Sequence, residues 1–281
     1  MNLGIACVAL TCCGALIAAD STPDQRTETR SEHLSYGSKL WVRNRNGSIR
    51  VAGWDKEEVG LTAQIRDSEK RRIDLVLQHL GPDLDIEAKF QQPAVVFSFG
   101  LSPSPRCEMT LNVPRRILAH FRTTNGSVSV TTVEGYARCE TTNGDIELRD
   151  IKGEAQAETT NGTVTAQGLN ARIKGGTTNG RIHLEDVQGG IDLETTNGSI
   201  TARNLDGWGE GIRLESTNGG IEVVLGRATG EIRAENTHGS IDLHVPGAQV
   251  LEEEKHAIRA KVPGRDQKIS LETTNGSISV R

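Results

Sequence analysis

An Asn-Gly pair returns at regular steps through the second half of this chain. Five of these pairs stand 18 residues apart, at Asn125, Asn143, Asn161, Asn179 and Asn197. Looser steps continue the series to Asn218, His238 and Asn275. A fixed period of about 20 residues is typical of proteins built from stacked repeats, and it constrains the fold more than any other feature of the sequence.

Apolar and polar residues alternate on both sides of each Asn-Gly. Around Asn161 the apolar positions are Ala155, Ala157, Val164, Ala166 and Leu169. Most other repeats place Ile, Leu or Val at the same distances from the Asn. Alternation with a period of two over a short run indicates a strand with one buried face. Each repeat therefore predicts two short strands that meet at the Asn-Gly.

Two folds share this local pattern, and burial separates them. Asn-Gly favours a hairpin, so that the chain would form an antiparallel meander of about 16 strands. Such a meander leaves its apolar face uncovered. Closing it into a barrel would leave too wide a lumen, because side chains can fill the lumen of a barrel of only about eight strands. If each Asn-Gly is instead a corner, the two strands of one coil point their apolar residues at each other. We therefore predict an all-β, right-handed parallel β-solenoid (β-helix) with coils of about 18–20 residues.

The corner residues suit this interpretation. Glycine after the Asn supplies a positive φ angle without a steric clash, and His238 belongs to a residue type that also adopts left-handed conformations. We expect the Asn side chains, and the Thr before each of them, to stack at about 4.8 Å and to hydrogen-bond along the stack. A second corner is predicted 10 residues after the Asn, near Gly135, Gly153, Gly189 and Gly207.

The N-terminal region predicts export. Residues 3–19 are apolar and end in Ile17-Ala18-Ala19, which resembles a secretory signal peptide with a small-residue cleavage site. We predict a signal peptide over 1–19, a flexible lead-in over 20–35, an N-terminal β cap with the first coil over 36–118, and solenoid repeats over 119–281. The predicted location is the periplasm or the cell surface. Lipoprotein anchoring through Cys13 and an uncleaved membrane anchor are the alternatives.

Both ends of the repeat array are irregular. Residues 59–113 carry longer alternating runs and would form the cap that repeat proteins need. Residues 245–268 interrupt the repeats, and the run Glu252-Glu253-Glu254 would discourage pairing at an edge. The last rung stops at Arg281 with no evident cap. We therefore expect a monomer or weak end-to-end self-association through this rung.

Cys107 and Cys139 are the cysteines that remain once a leader is removed. An oxidising compartment would permit a disulfide between them, and the sequence leaves this pairing open. Cys139 falls in an inward column between Phe121 and Ala157, which is typical of a small buried apolar residue.

The sequence contains no recognisable catalytic or metal-binding motif. Neither G-x-S-x-G nor H-E-x-x-H occurs, and the seven His residues lack the spacing of metal ligands. We therefore predict no catalytic, cofactor-binding or metal-binding residue and no cofactor. The net charge of −5 argues against nucleic acid as a partner, and no run of 18 apolar residues outside the leader would span a membrane.

One outward column is acidic. The third residue before the Asn is Glu in most repeats: Glu140, Glu158, Glu194, Glu215, Glu235 and Glu272. Basic side chains stand two residues further back: His120, Arg138, Lys174, Arg213 and Arg233. We interpret the two columns as a solvated charge lattice, and the alternative is a strip that binds divalent cations or a cationic ligand. The other candidate sites are insertions into the repeat, namely the loop 207–210 with Trp208 and the segment 91–106.

A family resemblance rests on three stretches. They are the segment from Leu40 to Trp54, the run from Val113-Pro114 into Thr123-Thr124-Asn125-Gly126, and the repeated NG-S/D-I-x-L. These stretches resemble the DUF4097 family of bacterial adhesin-like β-strand repeats, and the resemblance covers most of residues 36–281. It implies a right-handed β-helix in the cell envelope, and it carries no catalytic residues.

Three functions are compatible with these features. We favour a non-enzymatic exported protein of the cell envelope, adhesin-like or a scaffold, whose surface contacts an unknown envelope or surface partner. The second is an envelope-stress sensor or regulatory partner-binding module. The third is a polysaccharide-active enzyme. Sugar clefts stack rings on aromatic side chains, which make up only 3% of this chain, and cleavage needs a singular pair of carboxylates, whereas the repeat supplies columns.

Overall fold

The computed structural model describes residues 25–67, 72–91, 104–207 and 209–281, and the regular elements in these ranges are all β-strands. In chain order they are β1 (Gln25–His33), β2 (Lys39–Arg43), β3 (Ile49–Trp54), β4 (Glu58–Arg66), β5 (Ile73–Leu80), β6 (Asp83–Phe90), β7 (Arg106–Pro114), β8 (Arg116–Arg122), β9 (Val128–Thr131), β10 (Glu134–Asn143), β11 (Ile146–Arg149), β12 (Lys152–Asn161), β13 (Val164–Gln167), β14 (Asn170–Asn179), β15 (Ile182–Gln188), β16 (Ile191–Asn197), β17 (Ile200–Asp206), β18 (Ile212–Asn218), β19 (Ile221–Val224), β20 (Gly230–His238), β21 (Ile241–Leu243), β22 (Gln249–Glu254), β23 (Ala257–Val262), β24 (Lys268–Asn275) and β25 (Ile278–Val280). These ranges hold no helix able to cross a membrane. The predicted signal peptide, Cys13, Trp208 and the segment 92–103 lie outside the described residues.

The strands form two parallel arrays that face each other across the core. The front array consists of the strands before each corner Asn, from β8 and β10 to β18, and the back array of the strands after it, from β9 and β11 to β19. Equivalent residues of successive coils are partners: Cys139 pairs with Ala157 at the front, and Ile146 pairs with Val164 at the back. The parallel β-solenoid is thus confirmed. We call each coil a rung and name it by its corner residue.

The core lies between the two arrays, as the inward columns predict. Phe121, Cys139, Ile146 and Leu148 are all 0% exposed. Cys107 and Cys139 are both buried and free, so the disulfide that the sequence leaves open is not formed. Burial raises the pKa of the Cys107 thiol to about 12 and raises the pKa of Cys139 as well, which keeps both thiols neutral.

Two side-chain ladders hold the Asn corners. The amide ladder is confirmed: Nδ2 of each Asn donates to Oδ1 of its neighbour at 2.8–2.9 Å, in Asn143, Asn161, Asn179, Asn197, Asn218 and Asn275. The predicted Thr ladder is wrong in its residue, because the Thr directly before the Asn is exposed and the Thr before that one is buried. Oγ1 of Thr159 donates to the carbonyl of Gly144 in the preceding rung at 3.0 Å, and Thr141, Thr177, Thr195, Ser216 and Thr273 make the equivalent bond. A hydroxyl recurs there because it satisfies an inward-facing carbonyl.

The second corner turns earlier than predicted. The left-handed residue is the seventh after the Asn, at Thr132, Asp150, Gly168, Asp186 and Asn204, where φ lies between 51° and 66°. Gly135, Gly153 and Gly189 also have positive φ angles and complete the turn that these residues begin, whereas the predicted corner glycine Gly207 has no positive φ angle.

The N-terminal end is not stacked in chain order. The Asn46 rung, made of β2 and β3, stacks on the Asn125 rung, made of β8 and β9. On its other side β6 pairs with β2, and β7 pairs with β3. Strands β5, β4 and β1 extend this cap by antiparallel pairing. Residues 25–33 therefore belong to the sheet, and the predicted flexible lead-in does not hold for them.

The C-terminal end corrects the expected last rung. Strand β24 lies between β18 and β20, and β25 lies between β19 and β21, so the Asn275 rung is inserted between the Asn218 and His238 rungs. The His238 rung is outermost, and the hairpin β22–β23 pairs with β20 beyond it. The open edge expected at the last rung is absent in this order, because both edges of the Asn275 rung are already paired.

Candidate functional site

The acidic column predicted from the sequence lies on the outer surface of the front array. Its order differs from chain order, because Glu272 lies between Glu215 and Glu235. From Glu158 onward the column borders a groove that crosses the strands along the solenoid axis and holds about 920 Å³. A smaller recess of about 260 Å³ extends from Glu158 past Glu140 in the opposite direction. The rungs thus gather their carboxylates along one concave surface.

Gly176 interrupts the column near one end of the groove. It takes the place of the Glu between Glu158 and Glu194. A Cβ added at Gly176 would lie 2.0 Å from the carbonyl oxygen of Glu194, so that any other residue would force the backbone to move. Thr177 and Thr195 also line the groove, and their hydroxyls already donate to corner glycine carbonyls. The negative charge of the groove therefore comes from the Glu and Asp side chains, and the column of Glu residues is interrupted at Gly176.

The far end of the groove is closed by the turn of the hairpin β22–β23. His256 in this turn lines the groove, and its carbonyl accepts a hydrogen bond from the backbone N–H of Asn236 at 3.0 Å. Nδ1 of His256 lies 3.0 Å from Oδ1 of Asn236. The hairpin therefore caps both the sheet and the groove.

The lining carries a strong excess of negative charge, with six carboxylates against Lys174, Arg213 and the imidazole of His256. The predicted charge lattice accounts for part of it, since Arg213 pairs with Glu215 and Lys174 lies 3.6 Å from Asp192. Three carboxylates have no base two residues earlier, because Gln156 precedes Glu158, Asp192 precedes Glu194 and Ser270 precedes Glu272. Glu158 is offset instead by Arg138 at 3.6 Å, whereas Glu194 and Glu272 make no ion pair within the described ranges.

The charge is balanced best in the smaller recess. Burial acts to raise the pKa of Glu140, but the hydrogen bond from Arg138 and the charges of His120, Arg138 and Arg122 hold it below its usual value. Arg138 also lies 3.6 Å from Glu158. This part of the column is an internally satisfied lattice, as the sequence predicts.

The groove proper is balanced less well. Burial raises the pKa of Glu215, a hydrogen bond with Glu272 raises it further, and the charge of Arg213 opposes both effects only in part. Two carboxyl groups in contact disfavour the state in which both are ionised. A cation from outside would relieve this repulsion, so the arrangement favours a cationic ligand.

The structure does not support a built metal centre in this groove. In 25–67, 72–91, 104–207 and 209–281, no group of three or more His, Cys, Asp or Glu side chains is placed to hold a metal ion. Glu215 and Glu272 are register partners that supply two carboxyl groups, whereas Ca²⁺ takes about six to eight oxygen ligands. Of the insertion loops proposed as sites, Trp208 and most of the segment 91–106 lie outside the described residues.

Comparison with known proteins identifies a family and no specific activity. The family model described as Toastrack DUF4097 matches residues 38–281. No curated protein matches the chain. Among solved structures, a candidate adhesin from Bacteroides fragilis NCTC 9343 is 12% identical over 91% of this chain and 97% of its own, with a TM-score of 0.45. A candidate cell adhesion protein from Clostridium sporogenes ATCC 15579 is 12% identical over 90% and 98%, with a TM-score of 0.26. A candidate adhesin from Parabacteroides distasonis ATCC 8503 is 9% identical over 91% and 97%, with a TM-score of 0.31.

Proposed function

The chain belongs to the Toastrack DUF4097 family, and we propose that it is a non-enzymatic, exported protein of the cell envelope whose front groove holds an extended basic segment of a protein partner. Export is supported by the apolar leader that ends at Ala19. An adhesin-like or scaffold role follows if the partner is a surface protein. The solenoid then serves as a rigid frame that presents the groove.

The excess of carboxylates in the groove is the observation that carries this proposal. Charge complementarity selects partners and speeds their encounter, so an acidic groove selects a basic ligand. Six front strands line the groove, in the spatial order β12, β14, β16, β18, β24 and β20, and they span about 24 Å at about 4.8 Å per strand. An extended chain covers that length with about seven residues. A short run rich in Lys or Arg therefore fits the groove in both length and charge.

Carbohydrate cleavage is supported less well by the same residues. Glycosidases place their two carboxyl groups either about 5–5.5 Å or about 6.5–9.5 Å apart, so that a sugar or a water fits between them. Glu215 and Glu272 are instead register partners on the adjacent strands β18 and β24, within one column of carboxylates. Their neighbours Glu194 and Glu235 repeat the same chemistry, so that no single pair is set apart.

Binding of a seven-residue oligolysine, labelled with a fluorophore, tests the proposal by fluorescence anisotropy. We expect binding that the double substitution Glu194→Gln and Glu272→Gln weakens about tenfold, since loss of two charge contacts of about 0.7 kcal/mol each amounts to about 1.4 kcal/mol. Glu147→Gln with Glu222→Gln is the matched control, because both residues face outward on the back array. The two substitutions remove the same net charge as those in the groove. We expect this control to change the affinity less than twofold.

Equal losses in the two double variants would show that the peptide senses only the net charge, and the groove would have no special role. Calcium titration by calorimetry separates the alternative ligand. Heat of binding that Glu215→Gln abolishes would favour a divalent-cation strip over a peptide groove.

A further inference from the structure

The C-terminal rung occupies a slot between two rungs that precede it in the chain. Strands β24 and β25 lie between the Asn218 rung and the His238 rung on both faces of the solenoid. We propose that this slot is a strand-binding site, which takes the C-terminal rung of the same chain in the monomer and the C-terminal rung of a second copy in an exchanged dimer. The interaction does not need the ligand of the acidic groove, although β24 supplies Glu272 to the lining of that groove.

Main-chain hydrogen bonds hold the inserted rung from both sides. Toward the Asn218 rung, the N–H of Gly219 donates to the carbonyl of Asn275 at 3.0 Å. Toward the His238 rung, the N–H of Ile278 donates to the carbonyl of Ser240 at 2.9 Å. A row of such bonds is how proteins bind an added strand, with the affinity coming from the backbone. The slot therefore binds any backbone that is extended in the right places.

Side chains decide which segment fits. Leu271 and Ile278 enter the core and are 0% exposed, so the slot requires apolar residues on both sides of the corner. Nδ2 of Asn275 donates to Oδ1 of Asn218 at 2.9 Å, and Oγ1 of Thr273 donates to the carbonyl of Gly219 at 2.8 Å. The ligand of this site is thus a peptide of about 14 residues with the pattern of a rung, and the C-terminus of a second copy has this pattern by identity.

The outer wall of the slot closes less tightly than the inner wall. Nδ2 of Asn236 lies 3.4 Å from the carbonyl of Gly276, compared with 2.8 Å for the equivalent bond from Thr273 on the inner side. The amide ladder ends at Asn275, because His238 stands in the outer rung. On the back face the outer wall is the three-residue strand β21, whose Ile241 is only partly buried. The outer rung is therefore the side through which a strand leaves or enters.

One short connector ties the inserted rung to the rest of the chain. Residues 263–266 are exposed and include Pro263 and Gly264. They lead from β23 to β24, which flank β20 on opposite sides and therefore lie about 9.6 Å apart. A short tether gives its end a millimolar effective concentration, so the closed monomer prevails over exchange while the connector can reach. Once the connector cannot reach, two copies can exchange the same element without forming any new kind of contact.

Deletion of residues 263–266 tests this directly. The remaining link spans at most about 7 Å, which is shorter than the distance it must cross in one copy. We expect the mass measured by light scattering to double, and we expect the amides of 268–281 to be as protected from hydrogen exchange as in the unchanged chain. Insertion of four Gly and Ser residues into the same connector is the control and should leave a monomer. A monomeric deletion variant would overturn the proposal, whether or not its last rung is protected.

Cleavage of the folded full chain decides the matter if the deletion variant does not fold. A site for a specific protease is placed within 263–266, and the folded protein is cut there. We expect the cut protein to exchange its own fragment for a fluorescent peptide of residues 267–281, up to one per chain, and the uncut protein to take up none. The same peptide with Leu271→Asp and Ile278→Asp should not bind. A cut protein that stays folded by circular dichroism yet takes up neither peptide would show that no strand-binding site exists.

Discussion

The two ends of this solenoid bury a terminal rung in the same way but finish it differently. At the N-terminal end the Asn46 rung lies inside a layer formed by β6 and β7, with β5 beyond it at the front and β4 and β1 beyond it at the back. At the C-terminal end the Asn275 rung lies inside the His238 rung, with the hairpin β22–β23 beyond it at the front. At the back of that end, β21 pairs with β25 and lies at the edge of the described sheet.

This difference shows that the order of the rungs depends on where the segments between them, 55–115 and 244–267, rejoin the stack. A terminal rung inserted between two others has no free edge, so neither terminal rung offers its backbone to another molecule while it stays in its own slot. The layer outside it then becomes the true end of the sheet. That layer is thick at the N-terminal end and thin at the back of the C-terminal end, where Nδ1 of His244 lies 2.8 Å from Oδ1 of Asp242 on the edge strand.

Truncation of equivalent core residues in the two outer layers should give the largest effect. Met109 and Ile241 occupy the same inward position, since Met109 pairs with Ile49 and Ile241 pairs with Ile278. Met109 is 0% exposed, whereas Ile241 is only partly buried. We expect Met109→Ala to lower the free energy of unfolding by about 3 kcal/mol and Ile241→Ala by about 1 kcal/mol, because a cavity forms only where the site is closed. Urea denaturation measures both, and equal losses would mean that the two ends are equally well packed.

The sequence predicts the stacking of each rung well, because apolar and polar residues alternate with a period of two on both sides of every corner. The inward columns, the amide ladder and the gathering of the Glu column on one face all follow from that spacing. The same alternation also indicates the buried Thr: Thr159 lies two residues after the inward Ala157, so it points inward, and Thr160 points out. The expectation that Thr160 and its equivalents carry the ladder overlooked this period.

The order of the rungs is what the sequence does not predict. Asn218, His238 and Asn275 have nearly the same neighbours, so each rung can stack on either of the others with similar contacts. The local sequence pattern therefore does not predict which rung lies next to that of Glu272, and the position of Glu272 beside Glu215 is known only from the structure. The role of His256 at the end of the groove is hidden for the same reason, because it depends on the return of the hairpin β22–β23.

A second comparison of the two ends concerns the residue that replaces the buried Thr. Asn44 and Asn236 hold this place in the first and the outermost corner rungs, and both are buried. Nδ2 of Asn44 donates to the carbonyl of Gly47 at 3.0 Å and to that of Cys107 at 2.7 Å. Asn236 makes one long bond of 3.4 Å to Gly276 and contacts His256.

We expect Asn44→Ala to cost about 2 kcal/mol and Asn236→Ala less than about 1 kcal/mol, because two buried carbonyls lose a partner in the first case. Thermal unfolding of the two variants beside Thr160→Ala, whose side chain is exposed, measures the difference. A larger loss at Asn236 than at Asn44 would contradict the idea that the C-terminal end is held more loosely.

The smallest expected effect distinguishes two positions of the acidic column, Glu140 in the smaller recess and Glu215 in the groove, by their dependence on pH. The pKa of Glu140 is lowered in the folded protein, so its contribution to stability is present above the unfolded pKa of about 4.5 and is lost as the pH falls through the folded pKa. The pKa of Glu215 is raised, so its contribution is complete at low pH and is lost as the pH rises from about 4.5 through the folded pKa.

At pH 7 we therefore expect Glu140→Gln to lower the free energy of unfolding and Glu215→Gln to raise it, each by less than about 1 kcal/mol because both groups are partly exposed. The opposite signs are the test, and urea denaturation between pH 3 and pH 8 measures them. The Glu140 difference should shrink as the pH falls through the lowered folded pKa of Glu140, and the Glu215 difference should shrink as the pH falls through the raised folded pKa of Glu215. If Glu215→Gln instead destabilises the protein at pH 7, Arg213 governs this carboxylate more than Glu272 does, and the groove is as well balanced as the recess beside Glu140.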